Sequence, residues 1–142
     1  MKSMISKTMM LFAIGATLLS FSPKPGGEGF EISLNNKVVI QRFGSDINSV
    51  NNLQLNPTAS NEQLTIKYHH CGKVGKNRIV TIKDGHNNLL KEFRYADVAT
   101  PVAAMSLPVK DILSLKKGNK SILKLHYSSS ELPNGRLLAN IN

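Results

Sequence analysis

The chain has 142 residues, is 41% hydrophobic and 6% aromatic, and carries one cysteine, no tryptophan and a formal charge of +9. A chain of this size can bury a core without cross-links, and a single cysteine excludes an intramolecular disulfide and paired-cysteine metal motifs. The basic balance favours anionic partners: acidic glycans, phospholipid headgroups or nucleic acid.

Lys2 and Lys7 precede a contiguous apolar run, Met9–Leu19, followed by Ser20, Phe21, Ser22 and a turn-rich stretch at 23–27. A basic start, a short apolar middle and small residues after it predict a secretory signal peptide over 1–22. The run is shorter than the about 20 apolar residues of a membrane span. It also lacks the three-and-four spacing of an amphipathic helix. Ser20 and Ser22 give a small-x-small pattern, but Pro23 would follow a cut after Ser22 and proline is poorly accepted there, which leaves cleavage after Ser20 or an uncleaved anchor. No cysteine follows the run to carry a lipid. The expectation is an exported protein, periplasmic or extracellular, with no transmembrane span in its mature part. Export makes nucleic acid the weakest class of anionic partner, and none is expected.

Residues 23–29 read as a flexible linker and 30–142 as one β-domain. Phe30–Leu34 alternates apolar and polar side chains, as a half-buried strand does. Asn35-Asn36 is a two-residue hairpin turn, because Asn tolerates positive φ, and Lys37–Arg42 returns. Val50–Leu55 is a weaker strand, ended by Asn56-Pro57. In the next strand Leu64, Ile66, Tyr68 and His70 share one face, with Thr65, Lys67 and His69 opposite. Cys71–Asn77 is a loop. Arg78–Lys83 and Leu89–Tyr95 form a hairpin around the turn chemistry of Asp84–Asn88. Ala96–Ala104 reads as loop, and Pro108–Leu115 as one short helix or 3-10 turn. Lys120–Tyr127 points Leu123, Leu125 and Tyr127 one way, and Ile122, Lys124 and His126 the other. Ser128–Asn134 reads as loop and Gly135–Ile141 as the last strand. About eight short strands with regular turns predict an all-β, single-domain antiparallel β-sandwich, Greek-key-like. The connection Ala96–Leu115 is expected to cross from one sheet to the other.

Three groups of residues carry candidate chemistry. His69 and Cys71 stand two apart in a strand and would share a face, and His126 would join them if the two strands were neighbours. Imidazole plus thiolate suits copper or zinc, so these three residues make a periplasmic metal-binding protein the alternative reading. The plainer one makes His70 a core-edge residue, His69 a surface residue and Cys71 a small buried hydrophobe. In the basic loop, Lys73, Lys76 and Arg78 are candidates for an anion or partner, with backbone N–H groups of the glycine-containing turn as further donors. Gly72–Lys76 does not match a phosphate loop, because its spacing is wrong and a strand follows. For enzymatic chemistry, Ser128–Glu131 lacks a nucleophile elbow, and nothing brings two carboxylates together. Tyr68, Tyr95 and Tyr127 each stand near a strand end, either closing the core or forming an interface patch.

The segments Gly29–Lys37, His70–Arg78 and Tyr127–Arg136 resemble those of small exported β-sandwich proteins of Bacteroidetes-type bacteria. The resemblance spans most of the mature chain. It implies compartment and lineage, with no assigned activity. The combined expectation is a non-enzymatic binding or structural accessory module without a cofactor, contacting an envelope protein or an anionic envelope component through an exposed strand edge or basic loops.

Overall fold

The structure is a computed structural model that describes residues 27–59, 61–118 and 121–142. The expected signal peptide and the start of the linker lie outside these residues. Among the described residues nine strands form two sheets: β1 Gly29–Leu34, β2 Lys37–Phe43, β3 Asn52–Leu53, β4 Gln63–His69, β5 Ile79–Lys83, β6 Leu89–Arg94, β7 Met105–Pro108, β8 Leu123–Ser129 and β9 Leu132–Ile141. The order is β2-β1-β4-β7 in one sheet and β3-β9-β8-β5-β6 in the other. Pairing is antiparallel throughout, except that β3 runs parallel to β9. The fold is the expected all-β sandwich, with a short helix α1, Val109–Leu113, and 3-10 turns at Gly44–Asp46 and Pro57–Ala59.

The alternation read in the sequence is what stacks the sheets. Phe30, Ile32, Leu64 and Ile66 point inward from one sheet, and Val80, Ile82, Leu123 and Leu125 from the other, forming one apolar cluster. Burial of each such side chain contributes about 1.5–3 kcal/mol. The β1–β2 turn has the expected geometry, with Asn35 at φ 47° and Asn36 at φ 68°. In the β5–β6 turn, Asp84 Oδ1 accepts the backbone N–H groups of His86 and Asn88, both at 2.9 Å. These bonds, led by the one from Asn88, hold the Asp84 carboxyl below its ordinary range.

Three expectations are corrected. The connection after β6 does cross to the other sheet, but it carries a strand of its own, β7, paired with β4 through Leu64↔Leu107 and Ile66↔Met105. Pro108 ends that strand before α1 begins. It is tolerated there because β7 is an edge strand. The stretch read as loop at 128–134 is a tight hairpin with Ser129 opposite Leu132. Pro133 fits inside β9 because β3 pairs with β9 only at Asn140 and Ile141, leaving this part of β9 as a free edge. Glu28 and Gly29, expected in the linker, belong to the folded domain. A Cβ on Gly29 would stand 2.6 Å from the carbonyl oxygen of Arg42, so only glycine permits this approach. Among the described residues no helix is long and apolar enough to cross a membrane.

Candidate functional site

The expected metal ligands do not meet. His69 is on the outward face of β4, and His126 on the outward face of β8, in the other sheet. Cys71 shares a face with neither, because the strand ends before it. Cys71 at φ 56° and Gly72 at φ 84° are the two central residues of a turn closed by a bond from the Lys73 N–H to the His70 carbonyl oxygen, 3.1 Å. The thiol is exposed instead of buried. The His69 ring lies edge-on to Phe43 at 5.0 Å, and its Nε2 is buried without a hydrogen-bond partner. Among the described residues, no three His, Cys, Asp or Glu side chains form a group able to hold a metal ion.

The expected anion loop is occupied by the chain's own carboxylate. Glu131, at the β8–β9 turn, accepts the Lys76 backbone N–H at 2.5 Å through one oxygen and at 3.2 Å through the other. The Ser130 N–H donates to the Lys76 carbonyl oxygen at 2.8 Å, and Asn77 Nδ2 donates to Ser130 Oγ at 2.7 Å. Lys73 and Lys76 are exposed, but Arg78 is buried, at 7% exposure. Its guanidinium donates to the carbonyl oxygens of Ala103 at 3.1 Å and Ala96 at 3.0 Å. Arg78 therefore pins the crossover loop to β5, and its Nε is buried without a hydrogen-bond partner.

At the end of the sandwich where β1 begins and β4 and β8 end, the structure assembles a buried polar cluster. The rings of Tyr68 and Tyr127 stack at 4.4 Å, and His70 lies against both. His70 Nε2 is 2.7 Å from the Tyr127 hydroxyl and 3.4 Å from Ser129 Oγ. The Tyr68 hydroxyl donates to Glu28 at 2.6 Å and accepts from Arg136 Nε at 2.9 Å, while Arg136 also bonds Asn48 and pairs with Glu28 at 3.4 Å. Burial lowers the pKa of His70 and raises those of both tyrosines, that of Tyr68 further through its bond to Glu28. Gly75 closes the cluster, since a Cβ there would stand 3.1 Å from the His70 ring and 3.2 Å from the Tyr127 hydroxyl. These groups have acid–base chemistry, but their partners are one another. The arrangement ties β4 to β8 and β9 across the core. Its tyrosines take the core-closing role, with hydroxyls held by protein groups.

Tyr95, the third tyrosine, donates to the Ser106 carbonyl oxygen of β7 at 2.9 Å, and burial pushes its hydroxyl up to about 12.

The open surface is elsewhere. The sheet edges differ sharply. β3 has two residues, and the rest of the β9 edge carries Pro133 and is met by Asn51, whose Nδ2 donates to the Leu138 carbonyl oxygen at 2.9 Å; β7 is four residues long and contacted by Tyr95, and β6 carries Lys91, Glu92 and Arg94. Charge, brevity and cover are the usual protections of an edge. Among the described residues β2 pairs only with β1; it has seven residues, with a bulge at Val39, and exposes Val38 by 49% and Val39 by 42%. Lys37 and Arg42 stand near its ends. The Asn35-Asn36 turn predicts Lys37–Arg42 as the return strand, but its place at an edge follows from strand order, which no local pattern reveals.

No family model and no curated protein matches this chain.

Proposed function

We propose that this protein is an exported, non-enzymatic binding module that receives an extended segment of a partner protein along the free edge of β2. The observation that carries the reading is the contrast between β2 and the other edges. Those are short, interrupted by proline, charged along their middle or contacted, and β2 presents the exposed valines Val38 and Val39 with its cations near the two ends. An added strand would take its affinity from main-chain hydrogen bonds and its selectivity from the exposed valines. Lys37 and Arg42 favour an acidic segment over a second copy of β2, which would bring like charges together. Export is supported by the basic, apolar and small-residue order of the first 22 residues.

The test is site-specific photo-crosslinking in the producing cells. A photoreactive residue at Val38 or Gln41 is expected to capture one discrete protein adduct, and the same residue at Lys67, on the outer face of β4, is expected to capture none. Equal labelling from all three positions, or none from β2, overturns the edge reading. Recovery of the full-length chain only from the cytoplasm overturns the export reading.

A further inference from the structure

We infer that the outer face of the five-stranded sheet holds a second site, a cleft between the β5–β6 turn and the start of β9, lined by Lys83 and His126 and flanked by Lys124, that binds a phosphate-type oxyanion. The strand register carries the argument. Lys83 on β5 stands directly opposite Lys124 on β8, and Thr81 directly opposite His126, so two ammonium groups and an imidazole lie on one face of one strand pair. Like charges placed opposite each other in a sheet are destabilising, and among the described residues neither lysine forms a salt bridge.

Beside them lies a cleft of about 370 Å³ lined by Thr81, Lys83, Asn87, His126, Ser128 and Asn134, with Leu89 at its rim and no carboxylate in its lining. On the next strand Glu92 stands opposite Thr81 and is paired with Arg94 at 3.0 Å, and Asp84 in the bounding turn is taken by Asn88 and the His86 N–H. Lys124 is outside the lining, but its Nζ donates to Oδ1 of the lining residue Asn87 at 3.0 Å. The His126 ring lines the cleft, with its Nδ1 turned away from solvent. Burial, then the field of Lys83, keeps this ring neutral below the ordinary histidine value. An oxyanion in the cleft answers the opposed charges. It neutralises the two lysines, and it takes a charge-assisted hydrogen bond from Lys83 and hydrogen bonds from the hydroxyls of Thr81 and Ser128. This site is independent of the β2 edge, which belongs to the other sheet.

The test is NMR of the histidine ring signals in the full chain, titrated with inorganic phosphate at constant ionic strength. His69, His70 and His86 are internal references. A saturating shift confined to His126 is expected. The double variant Lys83→Gln/Lys124→Gln is expected to weaken it about tenfold or more, on the scale of one lost charge-assisted hydrogen bond, with unchanged His70 signals reporting an intact fold. A second arm uses vesicles of phosphatidylglycerol against vesicles of phosphatidylcholine. Retention on the former, lost in the double variant, identifies a lipid headgroup as the source of the phosphate. A phosphate response without retention identifies a free ion. A shift shared by all four histidines, or one that survives removal of both lysines, overturns the site.

Discussion

Two histidines of this molecule are desolvated to similar effect and sit in opposite kinds of surroundings. His70 and His126 both have their pKa lowered, first by burial. His70 is enclosed by Tyr68, Tyr127 and Gly75, and its Nε2 is answered by a hydroxyl at 2.7 Å. His126 has a buried ring nitrogen with no partner, beside an open cleft and two opposed lysines. The first arrangement is complete within the chain, so its chemistry is spent on joining the sheets. The second is incomplete, so its chemistry is available to something else. Polar groups left unmatched cost stability, and the contrast predicts which region governs folding and which governs binding.

The sharpest test is at Tyr127. Tyr127→Ala removes a fully buried ring stacked on Tyr68 and is expected to lower unfolding free energy by about 3–5 kcal/mol. Tyr127→Phe keeps the ring and removes the hydroxyl from His70 Nε2, costing about 1–3 kcal/mol. Urea unfolding of both variants separates packing from hydrogen bonding. Equal losses would show that the ring contributes nothing beyond its hydroxyl, which would break the account of this end as a packed clamp.

Protonation gives the next effect. Above the ordinary histidine value of 6.5, folded and unfolded chains both carry neutral His70. Below it the unfolded chain takes up a proton that the folded chain resists, so stability falls as pH drops from 6.5 toward the lower folded value. His126 acts with the same sign. His70→Gln is expected to flatten the pH slope of unfolding free energy in this window, and phosphate is expected to flatten the His126 share alone. A slope unchanged in His70→Gln would show that the ring titrates alike in both states.

What the sequence made legible follows from the range of each interaction. Strands with a period-two pattern, such as Leu64-Ile66-Tyr68 and Leu123-Leu125-Tyr127, declare themselves locally. So do turns whose chemistry is internal, such as Asn35-Asn36 and Asp84-Gly85. The strand β7 was hidden because Met105, Leu107 and one intervening serine are too short a pattern to rise above the loop before it. Cys71 defeated the reading because a residue at positive φ breaks the alternation that would have placed it beside His69. Arg78 was misjudged because a buried arginine is rare, and the carbonyls that hold it come from Ala96 and Ala103, beyond the next strand. The outward direction of His126 was read correctly. Its companions were not, since Lys83 becomes its neighbour only through the pairing of β5 with β8.

The smallest expected effect sharpens the comparison most directly. Lys83→Gln removes one of two like charges that face each other across β5 and β8. In the absence of an anion, relief of that repulsion is expected to raise unfolding free energy by about 0.2–1 kcal/mol at low salt, and the gain should shrink as salt screens the exposed charges. With phosphate present the sign reverses, because the wild type then gains stability from binding that the variant has lost. A matched pair of urea curves, with and without phosphate at equal ionic strength, reads both signs. No comparable reversal is expected at the His70 end, where Arg136 already has Glu28, Tyr68 and Asn48 as partners. A charge whose removal stabilises the free protein and destabilises the phosphate-loaded one is held there for the ligand. If Lys83→Gln were destabilising in both conditions, the ammonium would be serving the sheet, and the distinction between a completed region and an open one would fail at this position.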